Sequence, residues 1–243
     1  LESVRMLEPA EIGAALAAEN VGGPLQGRKV LVTAGPTREA LDPVRYLSNR
    51  SSGKMGYAVA AAAQAAGAEV VLVSGPVSVA PPAGVRVVAV ETAAQMLGAV
   101  QAELQGTAVF IAAAAVADYR PAEPAGRKIK KQAEELQLAL VRNPDILAAV
   151  AAARPRPFVV GFAAETDDVE ANARQKLEAK RLDMIAANPV GPEQGFDRED
   201  NTLQVLWPGG GRDLGSGAKS ELARQLVELM VERMRAGHQA QDS

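Results

Sequence analysis

The apolar residues of the chain come in short, dense blocks. Val30–Thr33, Val70–Ser74, Val85–Val90, Ala108–Ala113, Phe158–Phe162 and Met184–Ala187 are near-continuous runs of strand length. Runs that do not alternate with polar residues predict strands buried on both faces, as in a parallel sheet. Between the blocks lie segments of helical spacing. One opens at Ser51–Gly56 and continues to about Ala66, one runs from Thr92 to about Leu104, and one starts at Asn143-Pro144-Asp145 and runs to about Ala153. A fourth spans Val169–Lys180 and a fifth Ser220–Arg235, the latter with Leu222, Leu226, Leu229 and Met230 on one face. Thr92 is of the residue type that caps helix N-termini. A further helix is predicted over Glu8–Ala18, ended by Val21-Gly22-Gly23-Pro24.

Strands alternating with helices predict an α/β fold, a doubly wound, mostly parallel Rossmann-like sheet. Two segments break the rhythm. Residues 117–135 carry two prolines, Gly126 and the basic run Arg127-Lys128-Ile129-Lys130-Lys131, and read as a loop or flap, followed by an extended strand over Glu135–Val141. Residues 192–217 read as a hairpin against the sheet edge. The expected organisation is a lead-in over 1–26, one domain over 27–235 and a disordered tail over 236–243.

Composition narrows the functional classes. Apolar residues make up 48% and aromatics 3% of the 243 residues, which suits a core of small, closely packed side chains. A net charge of −3 argues against a general nucleic-acid binder. Without cysteine there is no disulfide, thiolate nucleophile or thiolate metal site. No apolar run reaches the roughly 18 residues of a membrane span and no signal peptide is visible, so the expectation is a soluble cytoplasmic protein. The single histidine, His238, falls in the tail, and no Ser-His-Asp set can be assembled. No metal-ligand spacing is present. Any metal is expected to be Mg²⁺ held mainly by nucleotide phosphates and water.

The candidate chemistry gathers around residues 28–64. The first strand breaks at Ala34-Gly35-Pro36-Thr37, and after a polar loop Ser51-Ser52-Gly53-Lys54-Met55-Gly56 opens a helix. Backbone N–H groups at a helix start, with the helix dipole behind them, favour phosphate. Gly35, Ser51, Ser52 and Gly53 are therefore candidate phosphate- or substrate-binding residues. Neither the dinucleotide fingerprint GxGxxG nor the GxxxxGK[ST] loop is present. The cations at 127–131, with Lys176 and Lys180 one helical turn apart, suffice to hold a triphosphate. Each of these residues has a plainer reading. The lysines could form a solvated surface turn, Asp118 could cap a helix, Arg45 could pair with Asp42, and Phe162 could be core. Asn188 reads as a turn cap and stays outside the candidate site.

Four strings in order, DPVRYLSNRSSGKMG, AAAAVADYRP at 112–121, KIKK at 128–131 and GFAAET at 161–166, closely resemble the phosphopantothenoylcysteine synthetase domain of bacterial bifunctional coenzyme A biosynthesis proteins. The resemblance runs from about Gly27 to Arg235. It implies a CTP-dependent ligase that joins 4′-phosphopantothenate to L-cysteine through an acyl-cytidylate, with CTP as cosubstrate and Mg²⁺ as cofactor. It implies that Asn49 grips the acyl-nucleotide, that Arg45 shares the substrate site and that Lys128 supports the activating step. It assigns nucleotide contact to Ala112, Ala113, Ala114, Asp118, Pro144, Asp145, Ile146, Leu147, Phe162, Lys176 and Lys180, besides Lys128. It further implies a homodimer completed around Arg45–Asn49, with that loop and the hairpin 192–207 as candidate contact surfaces, and a preceding flavin-bearing decarboxylase half; from charge and hydropathy no nucleic-acid or membrane partner is expected. A chain that starts at Leu1 then looks like an excised domain. A nicotinamide or flavin oxidoreductase is disfavoured because the second strand closes on Ser74-Gly75-Pro76 without an acidic residue. A nucleotide-sensing module stays open on fold alone.

Overall fold

The computed structural model describes residues 22–131, 134–190 and 198–239. The six apolar blocks are strands: β1 Lys29–Ala34, β4 Glu69–Ser74, β5 Arg86–Ala89, β6 Thr107–Ala112, β9 Phe158–Glu165 and β10 Met184–Pro189. They pair in parallel in the order β10-β9-β6-β1-β4-β5. Chain order along the sheet therefore reverses between β1 and β6, the switch point of a doubly wound sheet, outside whose strand C-termini ligands bind. Strands β11 Asp200–Trp207 and β12 Gly210–Ala218 extend the β10 edge in antiparallel fashion to make eight strands.

Side chains alternate between two helical layers because consecutive strand residues point to opposite faces. On one face Val30, Val32, Leu72, Ile111 and Ala186 pack with helices α1 (Lys54–Ala65) and α5 (Lys219–Gln239). On the other, Leu31, Val73, Phe110, Val159 and Ile185 pack with α2 (Ala93–Glu103), α3 (Ile146–Ala151) and α4 (Val169–Ala179). Thr92 caps α2 in a full capping box with Gln95, and Asp145 caps α3 by accepting from Ala148 N. Leu25 is buried against α1, so packing begins ahead of Gly27.

Several expectations shift. The loop after β1 contains a hairpin, β2 (Arg38–Ala40) with β3 (Tyr46–Ser48). The flap contains β7 (Tyr119–Pro121), paired with β8. Strand β8 is only Leu140–Arg142, in place of the longer Glu135–Val141. These short ribbons lack the apolar runs that mark the main sheet. Helix α3 stops at Ala151, with Ala152 as its C-cap. Helix α5 continues to Gln239, so residues 236–239 are helical where disorder was expected, and His238 lies in its last turn. The Glu8–Ala18 helix, residues 191–197 of the edge hairpin and residues 240–243 lie outside the described residues.

Candidate functional site

The ends of β1 and β6 run on side by side past the sheet. Ala113 N donates to Thr33 O, Ala115 N to Gly35 O, and Thr37 N to Ala115 O. The segment from Ala112 to Asp118 is then tied down from three sides. The buried Thr37 Oγ1 accepts from Ala117 N at 2.9 Å. Asn143 Nδ2 donates to Ala117 O at 2.8 Å, and Asn49 Nδ2 to Val116 O at 3.0 Å. The alanine run is therefore a half-buried, tied-down ledge whose small side chains leave room for close approach.

A cavity of about 470 Å³ opens beyond the C-termini of β6 and β9. It takes in ten of the twelve residues expected to contact nucleotide: Ala112, Ala114, Asp118, the Pro144–Leu147 helix start, Phe162, Lys176 and Lys180. Both of its lysines already have partners. Lys180 pairs with Asp145 at 2.8 Å, and Lys176 Nζ donates to Phe162 O at 2.9 Å. Burial would push the Asp145 carboxyl up, but the bonds from Lys180 and Ala148 N and the charge of Lys176 hold it below its ordinary value. Burial, helped by the nearby Lys180, lowers the pKa of Lys176.

A second cavity, of about 560 Å³, shares Ala114, Val116, Asp118, Phe162 and Lys176 with the first and extends over the start of α1. Asn49, Ser51, Ser52, Gly53 and Ala113 line it. Gly53 caps α1 with φ of 77° and no side-chain hydrogen bond, and the first turn carries no acid, so the first N–H groups of α1 face the cavity without a side-chain acceptor. Gly35 (φ 73°) lies beneath the turn, where a Cβ on Gly53 would come within 3.4 Å of its Cα. A third cavity, of about 1070 Å³, shares Asn49, Arg50, Ser51, Ser52, Lys54 and Lys219 with the second and reaches the Pro76–Pro82 loop. The three form one trench across the switch point.

Three expected residues are not in it. Arg45, Lys128 and Gly35 line none of the three cavities, Gly35 because it sits under the Gly53 turn. Arg45 is paired with Asp42 at 2.6 Å, as its plainer reading anticipated, and Lys128 is exposed on the neighbouring loop. Asp118 caps no helix; its carbonyl accepts from Asn143 N.

The family model of the DNA/pantothenate metabolism flavoprotein C-terminal domain matches residues 25–234. The chain belongs to this family. The coenzyme A biosynthesis bifunctional protein CoaBC of Vibrio vulnificus strain YJ016 is 50% identical over 238 residues, which cover 96% of this chain and 59% of that protein. The chain thus spans little more than half the length of this curated relative. A crystal structure of the C-terminal domain of a CoaBC protein superposes with a TM-score of 0.75 at 39% identity, covering 88% of this chain and 100% of that one. A Cab2 mutant in complex with phosphopantothenate-cysteine shares the fold, with a TM-score of 0.74 at 16% identity over 98% of this chain and 97% of its own.

The flavoprotein C-terminal domain fold also brings in residues outside the expected set. Thr33, Tyr119, Arg142 and Asn143 line the first cavity, and Lys54, Asn201 and Lys219 the second. Asn188, read as a turn cap outside the site, instead lies at the end of β10 and lines the second cavity as well. Asn143 stood next to the recognised Pro144-Asp145 start, so its neighbourhood was a usable signal. Asn201 and Lys219 carried none, because only the antiparallel edge strands return them to the trench. No group of three His, Cys, Asp or Glu side chains that could hold a metal occurs among the described residues. No helix among them is long and apolar enough to cross a membrane.

Proposed function

We propose that this chain is the phosphopantothenate–cysteine ligase domain of a bifunctional coenzyme A biosynthesis protein, cytoplasmic and fused in full length to a decarboxylase half. The observation that carries this reading is the junction at Asn49. Its side chain stands where a lysine-bearing cavity beyond β6 and β9 meets the unpaired N–H groups of α1. Relatives at 50% identity named for coenzyme A biosynthesis support it, as does the fold shared with a phosphopantothenate-cysteine complex.

The reaction runs in two steps. A carboxylate oxygen of 4′-phosphopantothenate attacks the α-phosphorus of CTP, the bond to the β-phosphate breaks, and pyrophosphate leaves. The cysteine amine then attacks the acyl carbon, the carbon–oxygen bond breaks with its electron pair going to CMP, and the nitrogen loses a proton. The cavity of Asp118, Lys176 and Lys180 takes the nucleotide, and the start of α1 takes a phosphate. Asn49 suits the acyl-phosphate because an amide neither repels it nor attacks it. The chain's contribution is mainly positioning and charge neutralisation. The carboxylates present fit Mg²⁺ only as a minor share of its shell. Asp118 would face a metal carried on the phosphates, which when bound would neutralise their charge.

Arg45 and Lys128 then act from a second copy. The hairpin β2–β3, the ribbon β7–β8 and the segment leading into β8 expose Val44, Tyr46, Tyr119, Leu138, Leu140 and Val141, apolar side chains that suit a homodimer contact. Such a contact would carry both cations towards the partner trench.

Pyrophosphate release from CTP with 4′-phosphopantothenate, with and without cysteine and with ATP as control, tests the assignment. Release requiring CTP and the pantothenate, with CMP and the cysteine adduct appearing only when cysteine is added, is the expected result. No nucleotide consumption under any combination overturns it.

A further inference from the structure

The turn between β2 and β3 holds a buried carboxylate that the proposed reaction does not use. Asp42 is 3% exposed, and both of its oxygens are fully employed. Oδ1 accepts from Val44 N at 2.8 Å and Arg45 N at 2.9 Å, which shapes the turn locally. Oδ2 accepts from Arg45 Nε at 3.0 Å and Nη2 at 2.6 Å, and also from Ile129 N at 3.1 Å. Arg45 Nη2 donates in turn to Ile129 O at 2.9 Å. Both backbone groups of Ile129 are thus held by one ion pair, 84 residues away through Arg45. One further bond, Ala125 N to Leu41 O at 2.9 Å, joins the same two segments. The Arg45 guanidinium beside Asp42 holds its carboxyl well below the usual carboxylate range, so the pair stays charged at neutral pH.

We propose that Asp42 is a positioning residue that latches the loop carrying Lys128 to the hairpin carrying Arg45, so that the two cations move as one unit. Its role in turnover rests on the ligase reading above; the latch itself does not. Ile129 follows Lys128 directly, so fixing its N–H and C=O fixes the path of the lysine backbone. Arg45 is oriented by the same carboxylate. The chain places two cations that lie outside its own trench on one rigid surface element, next to the exposed apolar side chains. A latch of this kind makes that element a preformed tool for a partner site.

Asp42→Asn tests this selectively. The amide oxygen can still accept from Val44 N and Arg45 N, so the turn survives. The amide nitrogen then faces the Arg45 and Ile129 donors, and donor meets donor. Trypsin reads the result, because Arg127, Lys128 and Lys130 are exposed on the latched loop and cleavage follows the population of the open loop. Cleavage after these residues should accelerate about tenfold in Asp42→Asn, the loss of a charge-assisted network, with unchanged far-UV circular dichroism. Arg45→Lys, which cannot span Asp42 and Ile129 O with one fork, should give a smaller rise. The turnover number for pyrophosphate release should fall about tenfold in Asp42→Asn, with KM for cysteine unmoved. Unchanged cleavage in both variants overturns the latch, as does faster cleavage spread over the sheet, which would mean global loosening. Faster loop cleavage with normal pyrophosphate release overturns the positioning role. If the parent chain releases no pyrophosphate, the ligase reading fails, and the cleavage rates still judge the latch.

Discussion

The cavity beyond β6 and β9 and the surface of Arg45 and Lys128 solve the same problem, holding cations for an anionic ligand, by different means. The first is a by-product of the sheet. Lys176 and Lys180 project from α4, whose Ala173 and Leu177 are buried against the strands, and each lysine head is parked on Phe162 O or Asp145. Positions are set by a core that cannot shift without cost. The second surface has three-residue strands, exposed apolar side chains and the buried Asp42 carboxylate tying the hairpin to the Lys128 loop. The sheet-borne site is rigid and self-neutralised, whereas the latch surface is peripheral and open to a partner. On the proposed ligase reading, a nucleotide would exchange the Lys180–Asp145 pair for phosphate, whereas the second surface would need only an approach.

The junction of the two regions is Asn49, and removing it should have the largest effect. Asn49→Ala should lower formation of the cysteine adduct by about 10²–10³-fold, the loss of a preorganised donor to a reacting acyl group. Product analysis by mass spectrometry checks this; a variant within a few-fold of the parent would detach Asn49 from the acyl step. The next largest effect belongs to the scaffold. Gly75 follows β4, and a Cβ there would lie 1.8 Å from Pro36 O. Gly75→Ala should cost about 3 kcal/mol as the β1 and β4 exits are forced apart, read as a fall in thermal midpoint. The same measurement on Asp42→Asn should show much less, and equal losses would erase the distinction between core and latch.

The legible part of the molecule is the part built on continuous apolar runs. All six parallel strands and the main helix starts could be read because burial on both faces leaves an unmistakable run, and caps such as Thr92 mark the helix ends. Strands β2 and β3 could not. Arg38-Glu39-Ala40 and Tyr46-Leu47-Ser48 have no run, and their order depends on remote contacts, including buried Glu39 accepting from Ala93 N at 2.9 Å. The site divides the same way. The Ala112–Asp118 ledge, the Pro144–Leu147 helix start and the two α4 lysines follow strand ends and were legible, and Asn188 ends β10 beside Ala164 of β9, whereas Asn201 and Lys219 converge only through the edge pairing of β10, β11 and β12. For Arg45 and Lys128, the local strings carry no sign of which face they occupy.

Within the sheet-borne cavity, Lys180→Met should weaken CTP binding about tenfold while leaving Asp145 without its ion partner. Calorimetric titration with CTP reads the loss, and a companion Asp145→Asn should bind CTP at least as well as the parent, because it removes a negative charge that the phosphates must displace. Parent-like affinity in Lys180→Met would place the phosphates elsewhere in the trench.

The smallest effect should come from the opposite end of the strands. There Glu103 bonds to Arg86 at 2.6 Å and to Lys29 at 3.0 Å, which holds its carboxyl down at about 2. A carboxyl depressed on folding contributes stability that is complete above its ordinary value near 4.5 and lost as pH falls towards 2. Because Arg86 is half exposed, the pair should be worth less than about 1 kcal/mol and should weaken with salt. Glu103→Gln should therefore melt slightly below the parent at pH 7, and the gap should close as pH is lowered towards 2. Pyrophosphate release at pH 7 should stay that of the parent, since this network lies across the sheet from every cavity of the trench. A gap that persists at pH 2 would mean that Glu103 acts through packing rather than charge. A change in turnover would show that the sheet transmits strain between its ends, and the rigid cavity would then be less independent of its surroundings than the latch.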